Sequence, residues 1–171
     1  MKKIILIGFI AIFFTSCKSA KIESQTENYK SNISNIDLPE RIGIVNDFEK
    51  TLTEFQSEQI TAVISFYYNS CKNDILVATV ESIPEKIEFD EYASILSKEW
   101  NLGDENGNGV LILISKSLNK VSLKTTYDSE LTHTKDFCEK VIKEDMNPYF
   151  EKDDYYRGVL SGLKEIIKKW K

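Results

Sequence analysis

Catalytic hardware is scarce in this chain. There is one histidine, His133, so any Ser-His-Asp or Cys-His unit has to be built around it. The three cysteines, Cys17, Cys71 and Cys138, stand too far apart for a zinc-site pattern. With only seven glycines, no Gly-rich turn resembles a P-loop or a dinucleotide fingerprint. Internal repeats and low-complexity segments are absent. The longest apolar run, Ile4 to Phe14, falls short of the about 20 residues a membrane-spanning helix needs. Beyond a modest Lys164–Lys171 end there is no basic run, and the formal charge is −5 at pH 7. That balance makes nucleic acid and anionic lipid headgroups poor partners, and no nucleic acid is expected.

What is present begins at the N-terminus. Met1-Lys2-Lys3, the apolar run and the small residues Thr15-Ser16 have the layout of a secretory signal. Phe14-Thr15-Ser16-Cys17 resembles the lipobox of bacterial lipoproteins, although Leu is usual where Phe14 stands. The resemblance implies removal of residues 1–16 and acylation of Cys17, palmitate being one such chain. The protein is then held to a membrane through lipid, extracytoplasmic in a bacterial cell envelope. In a Gram-negative cell that means the outer membrane or the periplasmic face. Each buried acyl methylene contributes about 0.8 kcal/mol, so several chains hold firmly. Loss of Lys2 and Lys3 takes the charge from −5 to −7.

From Lys18 to Asp37 the chain is rich in Ser, Asn, Lys, Glu and Thr, with isolated apolar residues. Residues 17–38 therefore read as a lipidated cysteine and flexible tether, and 39–171 as one domain. Such a compartment permits a Cys71–Cys138 disulfide. Cys138, however, lies beside Phe137, Val141 and Ile142 on an expected buried helix face, which favours a small core residue.

Within the domain, Thr53-Glu54-Phe55-Gln56 is a capping box. It opens a helix that ends near Asn69 and carries Ile60, Val63, Ile64 and Tyr67 on one face. Asp74 to Val80 is a β-rich apolar run, Phe89 to Trp100 an amphipathic helix, and Gly109 to Ser115 a buried strand. Together they form a βαβ unit with the usual right-handed crossover. Lys120–Thr126 alternates as an antiparallel edge strand. A helix follows from Thr132 or Thr134 to about Glu144, then a turn broken by Pro148. The last helix, Asp154–Lys169, is expected to bury Tyr156, Val159, Leu160, Leu163 and Ile167. Gly158 and Gly162 would let it approach the sheet. The fold class is α/β: a small mixed β-sheet with helices packed on both faces. Ligands in such folds favour the loops beyond the carboxyl ends of parallel strands, here Glu81–Asp90 and Lys116–Asn119.

One loop has chemical content. Asp104-Glu105-Asn106-Gly107-Asn108-Gly109 fits the first half of a calcium loop, with alternating oxygen ligands and a glycine at the sharp turn. The second half fails, because Ser115 stands where a bidentate Glu belongs. A solvated connection built of Asp, Asn and Gly explains the composition equally well. His133 reads as an exposed residue at a helix start, and Asp153-Asp154 as helix-capping acids.

The ordered set of motifs resembles the TPM domain family, from about Arg41 to Ile167. Val45-Asn46-Asp47 is similar to the family's opening V-x-D. Tyr92-Ala93 with Trp100-Asn101-Leu102-Gly103 resembles its "YA…W-x-x-G" segment, and Asn108-Gly109-Val110-Leu111-Ile112-Leu113 its "NGVLLL" strand. Leu131-Thr132, Pro148-Tyr149-Phe150, Asp154-Tyr155 and Gly158 follow in the family's order. The resemblance implies acidic residues around a divalent metal such as Ca²⁺ and a metal-dependent acid phosphatase activity. Asp47 and Asn108 match, and Asp128 appears where Glu is usual. Gly107 replaces an Asp, His133 replaces the Asp after Thr, and the glycines of "GYGLEG" are missing. The candidate metal set is Asp47, Asp104, Asn106, Asn108 and Asp128, with no catalytic residue assigned. Each lost carboxylate removes a hard anionic ligand. The resulting expectation is a tethered, non-catalytic module that binds an envelope protein partner, with phosphatase as the alternative.

Overall fold

The computed structural model describes residues 36–103 and 107–170. The signal segment, Cys17 and most of the tether, and the loop residues Asp104, Glu105 and Asn106, lie outside the described residues. Leu38–Lys171 forms one compact unit. No helix among the described residues is long and apolar enough to cross a membrane.

Four strands form one mixed sheet in the order β1 (Val45–Asp47), β2 (Asp74–Thr79), β3 (Gly109–Ser115), β4 (Lys120–Thr125). The first three are parallel and β4 is antiparallel to β3, with Ile112 opposite Leu123. Every residue of β2 and β3 is buried, as expected of strands covered on both faces.

Helix α1 (Glu54–Cys71) starts at the expected capping box. Thr53 Oγ1 accepts from Gln56 N at 3.2 Å, and Gln56 Oε1 accepts from Thr53 N at 2.9 Å. It runs past Asn69 to Lys72, whose left-handed backbone ends it. The buried face is Ile60, Ile64 and Tyr67; Val63, assigned to that face from the sequence, is 41% exposed. At 100° per residue Val63 falls on the flank of the 60–64–67 line.

Helix α2 (Phe89–Glu99) covers the opposite face of the sheet. There Ser122 Oγ donates to Asp90 at 2.6 Å, while Leu123, one residue on, joins the core on the α1 side. Both the β1–α1–β2 and β2–α2–β3 connections step the same way across parallel strands. Helices on opposite faces therefore give crossovers of opposite hand, so one departs from the common right-handed form.

The chain from Lys135 onward packs on the α1 side. Single-turn α3 (Tyr127–Glu130) precedes α4 (Lys135–Val141), capped by Thr134. A π-helical turn, Ile142–Met146, carries the chain into α5 (Asn147–Phe150). Pro148 lies in the first turn of α5, where its missing N–H breaks nothing. Helix α6 (Tyr155–Lys169) buries Tyr155, Val159, Leu163 and Ile166, a face rotated by about one residue from the expected one. Tyr156, Leu160 and Ile167 are only partly buried. The glycines explain the rotation. A Cβ on Gly158 would strike the Phe150 ring, and one on Gly162 would lie 2.8 Å from the Met146 sulfur. They let α6 close on the π turn and α5, not on the sheet.

His133 is fully buried, contrary to its expected exposure. Its Nε2 lies 2.9 Å from the Ile166 carbonyl, and its ring meets Trp170 edge-on at 4.3 Å between centroids. Burial lowers its pKa from the usual value by penalising the imidazolium.

Candidate functional site

The candidate residues separate along the strands. Asp47 ends β1, level with Thr79 of β2 and, through it, Ile114 of β3. Asn108 precedes β3 and Asp128 follows β4, both at the opposite end of the sheet. Six residues of strand, about 20 Å, part Asp47 from Asn108. Asp47 and Asn108 therefore cannot both reach one ion.

Asp47 is committed to its own surroundings. Its carboxylate accepts from Thr51 N and Thr51 Oγ1, both at 3.0 Å, from Leu52 N at 2.9 Å, and from Thr79 Oγ1 at 2.5 Å. Thr79 Oγ1 in turn accepts from Glu49 N. The Glu49 carboxylate bridges to the β3–β4 turn, taking Lys116 N at 2.8 Å and Ser117 N at 2.7 Å. Lys116 reaches Asp153 at 2.7 Å, and that bond raises its pKa. Glu49, Lys50, Thr51, Glu81, Lys116 and Ser117 line a shallow recess here. These groups tie three loops together through saturated hydrogen bonds.

The other end is organised around Gly109. Its N–H donates to Thr126 Oγ1 and to Ser129 Oγ, each at 2.9 Å. Thr126 Oγ1 donates to the Gly107 carbonyl at 2.5 Å, and Ser129 Oγ to Asn108 Oδ1 at 3.5 Å. Gly107 has φ +78°, which favours glycine, and the Asp128 carboxylate lies where a side chain at 107 would begin. A carboxylate therefore stands beside the position where the resemblance expects one, supplied from across the loop.

Sequence reasoning missed Asp74. It is buried at the start of β2, accepts from Gly103 N at 3.3 Å, and lies 3.9 Å from Arg41. An acid opening an otherwise apolar buried strand was the available signal. Arg41 also donates to the Trp100 carbonyl at 3.2 Å.

Calcium takes six to eight oxygens. Among the described residues this end offers exposed Asp128, Asn108 shared with Ser129, and Asp74 already engaged by Gly103 and Arg41. No three His, Cys, Asp or Glu side chains converge among the described residues. Those donors do not fit a divalent ion by themselves. Nucleophiles are no better placed. Cys71 and Cys138 form no disulfide with each other, and burial pushes Cys138 up to about 11, far from a thiolate at neutral pH.

Comparison with known proteins agrees with this architecture. The chain is similar in fold to the N-terminal domain of a P. gingivalis protein solved by solution NMR. They share 20% identity, covering 80% of this chain and 89% of that one, with a TM-score of 0.68. The BA42 protein of Bizionia argentinensis, also an NMR structure, gives a TM-score of 0.62 at 15% identity. That match covers 71% of this chain and 83% of that one. The N-terminal domain of cg2496 from Corynebacterium glutamicum gives 0.57 at 12%, covering 77% and 83%. No curated protein matches. The TPM domain model matches residues 45–169, from β1 through the last residue of α6. This chain belongs to the TPM domain family.

Proposed function

We propose that this protein is a bacterial envelope lipoprotein, anchored through Cys17, whose TPM domain is a non-catalytic module that binds another envelope protein. One observation carries the non-catalytic reading: Asp47 spends its carboxylate on Thr51, Leu52 and Thr79, about 20 Å of strand from Asn108. Metal-dependent phosphoryl chemistry needs several anionic ligands and an activated water at one place. Among the described residues, Asp47 and Asp74 are engaged and lie at opposite ends of the sheet, with Asp128 exposed near Asp74. The signal layout and lipobox resemblance of residues 1–17 support the anchored, extracytoplasmic location.

A second reading, a metal-dependent acid phosphatase, draws on the Asp128 carboxylate beside Gly107 next to Asn108. Residues 18–171 assayed with p-nitrophenyl phosphate, with and without Ca²⁺, Mg²⁺ or Mn²⁺, separate the two. No turnover above the buffer blank is expected. Metal-dependent turnover that disappears in Asp128→Asn would overturn the non-catalytic reading. The lipid anchor is tested by intact mass of membrane-extracted protein, which reads cleavage before Cys17 and acylation together.

A further inference from the structure

The outer edge of β4 has no partner strand among the described residues. In an antiparallel pair, alternate residues turn their backbone groups to the neighbour. Thr126 N donates to Gly109 O at 3.0 Å, so Lys120, Ser122 and Lys124 also face β3. The N–H and C=O groups of Val121, Leu123 and Thr125 consequently face outward. They meet no hydrogen-bond partner among the described residues.

These groups lie on the floor of a trough. One recess of about 670 Å³ follows the first half of β4, with Phe89, Val121 and Phe150 in its lining. A second, about 440 Å³, follows the other half past Leu123 and Cys138. Asp90 of α2 and Ile142 of the π turn line both, so the recesses join along the strand between two walls. Six residues of β4 make this edge about 20 Å long. Carboxylates dominate the rims. Glu139 is paired with Lys135, leaving Glu88, Asp90, Glu130 and Glu151 against Lys120 and Lys124.

We propose that the β4 edge takes up an extended, positively charged segment of a partner protein as a fifth strand. Only an extended backbone presents donors and acceptors at the spacing of Val121, Leu123 and Thr125, and side chains of such a segment reach recesses that mix apolar groups such as Phe89, Phe150 and Ile142 with the rim carboxylates. The surplus of rim carboxylates selects basic residues between them. This rests on the interaction-module reading and supplies its surface and the class of its partner.

The test uses residues 18–171, ¹⁵N-labelled, with the capped peptide acetyl-Lys-Val-Lys-Val-Lys-Val-amide as probe. At saturation, hydrogen exchange at the Val121, Leu123 and Thr125 amides should slow at least tenfold. Of two peptides, one N-methylated at each valine and one at each lysine, the one whose methyl groups face β4 should lose binding, and the Glu-for-Lys peptide should bind at least tenfold more weakly at low salt. Val121→Pro removes an outward N–H without touching a β3 bond and should weaken the probe at least tenfold. Should that variant not fold, Glu88→Lys with Glu151→Lys should reverse the preference between basic and acidic peptides. Unchanged exchange, or undiminished binding of both N-methylated peptides, would overturn the proposal. So would protection of these amides before any peptide is added. If that protection rises with protein concentration the occupant is a second copy, and if it does not, the chain's own tether. Phosphatase turnover would defeat the non-catalytic reading and leave these exchange rates unaltered, whereas silent edge amides without turnover would defeat the edge alone.

Discussion

The Asp128 carboxylate rests against the Cα of Gly107, in the space that a Cβ at residue 107 would occupy. The two positions are therefore coupled: a side chain at one displaces the side chain at the other. Restoring the family's acid with Gly107→Asp also forces a residue with a side chain into φ +78°. The expected cost is about 1–2 kcal/mol from the left-handed backbone alone, before any repulsion between carboxylates. Urea unfolding of Gly107→Asp, Asp128→Ala and the double variant checks this. The double variant should recover part of the loss, and strict additivity would show that the two positions do not interact.

Removal of the Asp47 carboxylate should be a stability lesion. Asp47→Ala leaves Thr51, Leu52 and Thr79 donors without their acceptor. About 2–3 kcal/mol is expected for a half-buried charged acceptor. Asp47→Asn, which keeps one carbonyl oxygen, should lose less. A destabilisation under about 0.5 kcal/mol, the range of ordinary surface changes, would contradict this account.

Acid should weaken the protein through His133. Its folded pKa lies below the ordinary value of 6.5, so the unfolded chain takes the proton more readily. Stability attributable to this group is complete above pH 6.5 and falls as pH drops through the unfolded value toward the folded one. His133→Leu loses the bond to Ile166 and should be less stable at pH 7.5. Between pH 7.5 and 5.5 it should lose less further stability than the parent. Denaturant melts at both values give the comparison, and parallel losses in the two proteins would remove His133 from the explanation.

The two helix glycines should rank by what they meet. Gly158→Ala collides with the Phe150 ring and approaches the Met146 carbonyl, whereas Gly162→Ala meets the flexible Met146 thioether. Overpacking costs typically about 1–3 kcal/mol, with Gly158→Ala the more severe. Thermal midpoints of the two variants should fall in that order; an equal or reversed order would put the close contact elsewhere.

Local chemistry made much of this fold readable. Thr53 and Gln56 marked the start of α1, the unbroken apolar runs marked β2 and β3, and alternation marked β4 as the antiparallel edge. What failed depended on distant partners. His133 is buried because Trp170 and Ile166, more than thirty residues away, fold over it. The inward face of α6 was misread because glycine carries no hydrophobic signal, although Gly158 and Gly162 lie on that face. The division of the acidic residues was not legible, because no strand was expected at Val45–Asp47. Only once β1 is seen to run parallel to β2 and β3 does Asp47, at its end, fall at the opposite end of the sheet from Asn108, just before β3. Asp104 and Asn106 fall outside the described residues.

Because the chain leaves β1 toward one face of the sheet and leaves β2 toward the other, a split opens between their carboxyl ends, the kind of crack where open α/β sheets hold small molecules. In this protein the inner end of the split is bridged by its own side chains, the Thr79 hydroxyl donating to the Asp47 carboxylate. A guest seeking that seat would have to evict a resident already bonded there. The inner end of that crack is therefore filled from within, and what stays open there is the recess rimmed by Glu49, Lys50, Thr51, Glu81, Lys116 and Ser117.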